Sequence, residues 1–169
     1  MHHDSNEKGH SKSVYPIAFI PAEEDWDLDK RPLHERDLLI TGSADCTAMI
    51  WSVGLGDQLK VLEGHTAPIH AICVDQDKTK AIFTAGGDGV IMVFDQITGE
   101  CMRKLIGHEA AILSMDTYKS MLYTASVDKT ARAWVMEFGE ETRVFRGCRS
   151  PVTCIQFFSG FGKNFTDDL

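Results

Sequence analysis

Short apolar runs recur along most of the chain and alternate with turns rich in Gly, Asp and Ser. Residues 69–74 (IHAICV), 81–85 (AIFTA), 90–94 (VIMVF) and 101–105 (CMRKL) are brief and rich in Val, Ile, Phe and Thr. That composition, bounded by turn residues, predicts four consecutive strands. No segment holds a long helical period. The run VIMVF is apolar at every position, so it has no polar face to turn to water. Such a strand is expected in a sheet covered on both sides. Residues 40–54 (ITGSADCTAMIWSVG) read the same way, as strand, tight turn and strand. Pro16, inside VYPIAFI, removes a ladder donor. It is tolerated on an edge strand, or the strand boundary lies elsewhere.

The elements repeat. Gly–His occurs at Gly9–His10, Gly64–His65 and Gly107–His108, and Gly147–Cys148 follows. From Gly64 to Gly107 is 43 residues and from Gly107 to Gly147 is 40. Asp45, Asp88 and Asp128 keep those two intervals, as do Trp51, Phe94 and Trp134. Three landmarks moving in step mark a structural repeat. Gly9 lies 55 residues before Gly64, which places an insert in the first unit at residues 21–36. The units are then 9–63, 64–106, 107–146 and a truncated fourth at 147–169, behind a polar extension at 1–8. Radial stacking of four-stranded sheets of about 40 residues is a β-propeller. The channel-lining strand of a propeller is an edge, which would accommodate Pro16.

The stretches LEGHTAPIHAICVDQDKTKAIFTAGGDGVIMVFD and LIGHEAAILSMDTYKSMLYTASVDKTARAW resemble WD repeats, and the resemblance runs from about Gly9 to Phe158. It implies an all-β fold: a partial WD-repeat propeller of three four-stranded blades plus one strand of a fourth, PVTCIQFF at 151–158. It also implies a buried hydrogen-bond relay in each blade, joining the His, a hydroxyl, the turn Asp and an indole. The sets are His10–Thr41–Asp45–Trp51, His65–Thr84–Asp88–Phe94 and His108–Thr124–Asp128–Trp134. The chemistry supports such a relay independently. A turn Asp accepts from turn amides and an imidazole, and a Thr hydroxyl can meet the other ring nitrogen and an indole N–H. Phe94 has no N–H, so the second set should hold its blade less tightly, by roughly 0.5–1.5 kcal/mol. The fourth unit has Cys148 in place of His and no Asp–Trp pair, so no relay is expected there.

A hydroxyl, a His and an Asp also compose a catalytic triad. A nucleophilic Thr needs an exposed hydroxyl, an oxyanion hole and a cleft. These Thr residues are expected mid-strand in stacked sheets, and three near-identical copies suit architecture better than catalysis. The competing enzyme reading places a site in the propeller channel, where the inner strands supply only His70 and Asp116.

Composition narrows the partners. The formal net charge of −8 argues against nucleic acid and against anionic lipid. No run reaches the roughly 20 apolar residues of a membrane helix. The N-terminus has no apolar secretion core, so an intracellular location is expected, cytoplasmic with the nucleus open. The five cysteines show no CxxC spacing and read as reduced thiols, most of them as small core residues. No His/Cys cluster has zinc spacing, and GGDG at 86–89 is a turn and not a phosphate loop, so no metal or cofactor is expected.

Protein partners remain. In similar propellers they meet the face bearing the turn before the Asp and the residues ahead of the first strand. Carried over, these are Ala44, Gly87 and Val127, with Ser13, Pro68, Ala111 and Pro151. Trp26, among the charges of PAEEDWDLDKRPLHER, is a further candidate anchor, against the plain reading of a solvated loop. Three units and the start of a fourth are too few to close a ring alone. The expectation is a fragment of a longer, seven-bladed propeller serving as a non-catalytic interaction scaffold or adaptor, with a truncated product of no independent function as an alternative. Self-association through the exposed end blades is the lesser expectation.

Overall fold

The computed structural model describes residues 9–21, 37–75 and 80–157. Among them are twelve strands and no helix. The first sheet holds β1 (Val14–Ile20), β2 (Leu38–Ser43), β3 (Ala48–Ser52) and β4 (Gln58–Leu62). The second holds β5 (Ile69–Val74), β6 (Ala81–Gly86), β7 (Val90–Asp95) and β8 (Cys101–Ile106). The third holds β9 (Ile112–Tyr118), β10 (Met121–Ser126), β11 (Ala131–Val135) and β12 (Glu141–Phe145). Each is an antiparallel meander with strands in chain order. The sheets meet through their first strands, β1 against β5 and β5 against β9. This is the arrangement of three successive blades of a propeller.

Two turns repeat in every blade. The turn after the second strand puts its third residue at positive φ: Cys46 at 71°, Gly89 at 72° and Lys129 at 70°. The turn after the third strand puts its fourth residue at positive φ: Gly56, Gly99 and Gly139, at 70°, 75° and 75°. The fourth strand joins the third with a register shift beside the same aromatic position, Trp51, Phe94 or Trp134.

The apolar side chains form two cores, and both lie between blades. Leu38, Ile40 and Ile50 of the first blade meet Ile69, Ile82, Met92 and Phe94 of the second. Phe83, Ile91, Val93 and Leu105 of the second meet Ile112, Met115, Leu122 and Trp134 of the third. Residues alternate across β7: Ile91 and Val93 enter one core, Met92 and Phe94 the other. This explains the unbroken apolar run VIMVF.

Pro16 sits in β1, an edge strand, where the β1–β2 register shifts between Val14 and Ile17. A shifted, unladdered position on an edge tolerates the missing N–H. Two expectations need correction. Residues 151–157 pair in no sheet among the described residues, although they lie along β9. A strand is defined by its ladder, and no described second strand of a fourth blade exists to supply one. The cysteines are also less buried than their apolar neighbours suggested. Cys101, Cys148 and Cys154 are exposed and Cys46 is half-buried, because apolar sequence neighbours do not place a residue between two blades; Cys73, half-buried, does pack against the core between the second and third.

Candidate functional site

Each relay is assembled from three distant pieces of chain. In the first blade, His10 Nδ1 lies 3.0 Å from Asp45 Oδ2, and His10 Nε2 lies 2.8 Å from Thr41 Oγ1. Trp51 Nε1–H donates to the same Thr41 oxygen at 2.8 Å. In the third blade the corresponding distances are 2.6 Å (His108 to Asp128), 2.7 Å (His108 to Thr124) and 3.1 Å (Trp134 to Thr124). The second blade has His65–Asp88 at 2.7 Å and His65–Thr84 at 2.8 Å, and Phe94 contributes no donor. A carboxylate only accepts, so each Nδ1 carries the proton and each Nε2 accepts from the Thr hydroxyl. The donors therefore run from indole to Thr to His to Asp. Each Asp also accepts the amide that follows its His: Ser11, Thr66 or Glu109.

Two further polar positions belong to the first and third relays. Thr47 Oγ1–H donates to Asp45 at 2.6 Å, and Thr130 Oγ1–H to Asp128 at 2.6 Å. Ser43 and Ser126 accept the amides of Asp45 and Asp128 and donate back to the carbonyls of Lys12 and Ala110. These four residues escape a reading confined to His, Thr, Asp and Trp. The signal was present in the aligned turns SADCT, GGDGV and SVDKT, where Ser and Thr flank the Asp twice and Gly and Val replace them once. The second blade is thus depleted at three places, Gly86, Val90 and Phe94. Geometry explains the first. A Cβ on Gly86 would lie 2.0 Å from the Pro68 carbonyl oxygen, so no serine fits there without moving backbone.

The electrostatics follow the hydrogen bonds. Burial alone would push the Asp45 carboxyl up, but the Thr47 hydroxyl and amide, the Ser11 amide and His10 hold it well below the usual carboxylate range. Asp128 behaves alike: Thr130, His108 and the Glu109 amide outweigh burial. Burial lowers the His108 imidazole, and the pull of Asp128 in the other direction does not overcome it. His108 is therefore a neutral imidazole beside a carboxylate that stays ionised. The third blade adds an ion pair. Arg132, where the other blades carry Met49 and Met92, binds Glu141 of β12 and lies 4.0 Å from Asp128.

This arrangement holds distant pieces of chain together. Thr84 and Thr124 are 0% exposed, and their hydroxyl protons are committed to His65 and His108. The two channel-strand residues have separate partners: the His70 ring lies 6.0 Å from that of Tyr15, while Asp116 accepts the amides of Thr117 and Phe157. Among the described residues no group of three or more His, Cys, Asp or Glu is placed to hold a metal ion.

The candidate contact residues fall in pairs directly over the relays. Ala44 N–H donates to Ser13 O, Gly87 N–H to Pro68 O and Val127 N–H to Ala111 O, each at 2.9 Å. Ala44, Gly87 and Val127 each immediately precede a relay Asp, so the latch beneath sets their position. Pro151 adjoins the row, since Val152 N–H donates to Ser126 O at 3.0 Å. Ser13, Gly87, Val127 and Pro151 are exposed, and Ala44, Pro68 and Ala111 are half-buried. Trp26 lies outside the described residues.

Comparison with known proteins follows the same repeats. The pattern of the family described as "WD domain, G-beta repeat" matches residues 6–52, 56–95 and 99–134. Pre-mRNA-processing factor 19 of Oryza sativa subsp. japonica is 27% identical over 158 residues, which is 88% of this chain and 27% of that protein. WD repeat-containing protein pop2 of Schizosaccharomyces pombe is 33% identical over 75 residues, 44% of this chain and 11% of that one. The chain spans about a quarter or less of the length of these two relatives. A solved structure of U3-55K superposes with a TM-score of 0.71 at 17% identity, covering 86% of this chain and 43% of that one. At that identity the likeness shows the fold.

Proposed function

Because the chain belongs to the WD domain, G-beta repeat family, we infer that it serves as a non-catalytic platform for protein partners. The observation that carries this reading is the row of backbone-bonded pairs Ser13–Ala44, Pro68–Gly87 and Ala111–Val127, continued by Pro151. These residues are small and mostly apolar, and a hydrogen-bonded latch holds each pair. Such a row loses little conformational entropy on binding, which is what a rigid docking surface needs. It selects by shape, and its specificity would come from the side chains around it. The relay carries no part of the recognition; it keeps the row in register. We place the protein inside the cell, where its five free thiols stay reduced.

Quantitative affinity purification tests the reading. Wild-type protein is compared with Ala44→Arg and Val127→Asp, two surface changes over intact relays, with thermal melting to show that each variant folds. The expected result is loss of the same set of captured proteins in both variants. An unchanged set in both would overturn it.

A further inference from the structure

The relays sit at one end of each sheet, beside the turn that follows the second strand. The opposite end carries the turns between the third and fourth strands, at residues 52–57, 95–100 and 135–140. Those turns read SVGLGD, DQITGE and VMEFGE, with five carboxylates and no base. A carboxylate follows the positive-φ glycine in all three, as Asp57, Glu100 and Glu140. These three are exposed, and so is Glu137. Among the described residues none of the four takes part in an ion pair.

Each turn also holds out an apolar side chain, and in the second and third blades it does so with the preceding blade in place. A Cβ on Gly99 would lie 2.9 Å from Lys60 Cδ of β4, and one on Gly139 would lie 2.4 Å from Leu105 Cδ2 of β8. Each turn therefore rests on the outer strand of the blade before it. Its apolar residue still faces water: Ile97 is 49% exposed and Phe138 is 64% exposed. A single exposed apolar residue is ordinary; its recurrence on equivalent hairpins, beside carboxylates, marks a surface for a partner. The two bases that reach these turns are engaged. Arg103 donates to the Glu137 carbonyl. The Thr98 amide holds Asp95 below the usual carboxylate range, with the Ile97 amide and Lys60 adding to it. Lys80 and Lys119 belong to the turns between the first and second strands.

We propose that these hairpin turns form a second docking surface, at the end opposite the relays, for a basic polypeptide segment that carries apolar side chains. Ile97 and Phe138 are its apolar anchors, and Glu100, Glu137 and Glu140 receive the Lys or Arg side chains of the partner. Charge selects this occupant. The formal net charge of the chain is −8, so a second copy brings the wrong sign, as do anionic lipid and nucleic acid. The surface shares no residue with the row over the relays.

Fluorescence anisotropy of a labelled amphipathic peptide of Lys and Leu, titrated with the full chain, tests the proposal. Two control peptides replace every Leu by Ser or every Lys by Glu. The Lys–Leu peptide is expected to bind, less tightly as salt rises, with the Lys–Ser control at least about tenfold weaker and the Glu–Leu control not bound. Ile97→Ser combined with Phe138→Ser should weaken binding of the Lys–Leu peptide at least about tenfold. Glu100→Lys combined with Glu140→Lys should weaken it as much and let the Glu–Leu control bind. Glu63→Lys combined with Glu109→Lys makes the same charge change at the relay end and should leave the affinity within about twofold. Thermal melting shows that each variant folds. No binding by the wild type, equal binding of the Lys–Leu and Lys–Ser peptides, or an equal loss in the relay-end variant would overturn the proposal. So would self-association of the wild type in sedimentation equilibrium that is lost with Ile97→Ser and Phe138→Ser, because a second copy would then be the occupant.

Discussion

Trp134 donates its indole N–H to the Thr124 hydroxyl at 3.1 Å, and this bond closes a relay that the middle blade leaves open. Thr84 holds the equivalent place, but Phe94 stands where Trp134 does and has no N–H to give, so Thr84 donates to His65 and receives no indole bond. Trp134→Phe would give the third blade the middle blade's deficit. The expected cost is about 1–3 kcal/mol: a lost hydrogen bond plus the space left by the smaller ring. In a chain of this size that lowers the melting temperature by several degrees. Urea unfolding of wild type and variant measures it. An unchanged midpoint would show that the indole bond contributes nothing net.

Acid should weaken the protein in two stages. The folded-state pKa of His108 is lowered, so the unfolded chain binds more protons and stability falls as pH drops below about 6.5. Asp45 and Asp128 are also lowered, so their contribution is full above about 3.9 and is lost as pH falls below it towards their folded values. Both effects have the same sign. Asp128→Asn should cost about 1.5–3 kcal/mol at neutral pH and flatten the lower stage. Melting curves between pH 7 and pH 3 check both points.

Lys129 adopts φ of 70° where the middle blade has Gly89 at 72°. A left-handed residue with a Cβ is strained by roughly 1–2 kcal/mol, and the entropy cost of glycine offsets part of its relief. Lys129→Gly should therefore stabilise by about 0.5–1 kcal/mol, seen as a higher urea midpoint with the same slope. A loss of stability would mean that the lysine side chain makes a contribution larger than the strain.

The middle blade can be restored at one position and not at another. Val90→Thr supplies the hydroxyl that Thr47 and Thr130 give their Asp, and should gain up to about 1 kcal/mol. Gly86→Ser imports the other blades' serine, but its Cβ would fall 2.0 Å from Pro68 O. That clash is with backbone and is expected to cost about 2 kcal/mol or more. Thermal melting of the two single variants should move in opposite directions.

Much of the fold was legible because it is written locally and repeated. The spacing of Gly–His, Asp and Trp, the alternating strands and the turn residues marked three blades and brought His10 to Thr41 and Asp45 across an insert. Ser43, Thr47 and their counterparts are also visible in the aligned turns, but Ser and Thr are common in turns for reasons unconnected with a relay, so their presence alone does not mark one. Why the turn at Gly86 lacks a serine was not legible at all. Nothing in GGDG tells that the Pro68 carbonyl approaches so closely, since that depends on where β5 crosses β6.

By itself, then, the amino-acid sequence determined which residues form strands, where each blade turns, and which polar groups meet inside it. Those outcomes follow from backbone preference and from alternation along a strand. Only the tertiary structure decided what covers each face. Ile72 and Ile17 occupy the same place in successive blades, yet Ile72 packs against a neighbouring blade and Ile17 is 67% exposed. Alternation assigns a side chain to a face, but whether that face loses its water depends on which sheet, from this chain or another, comes to lie against it.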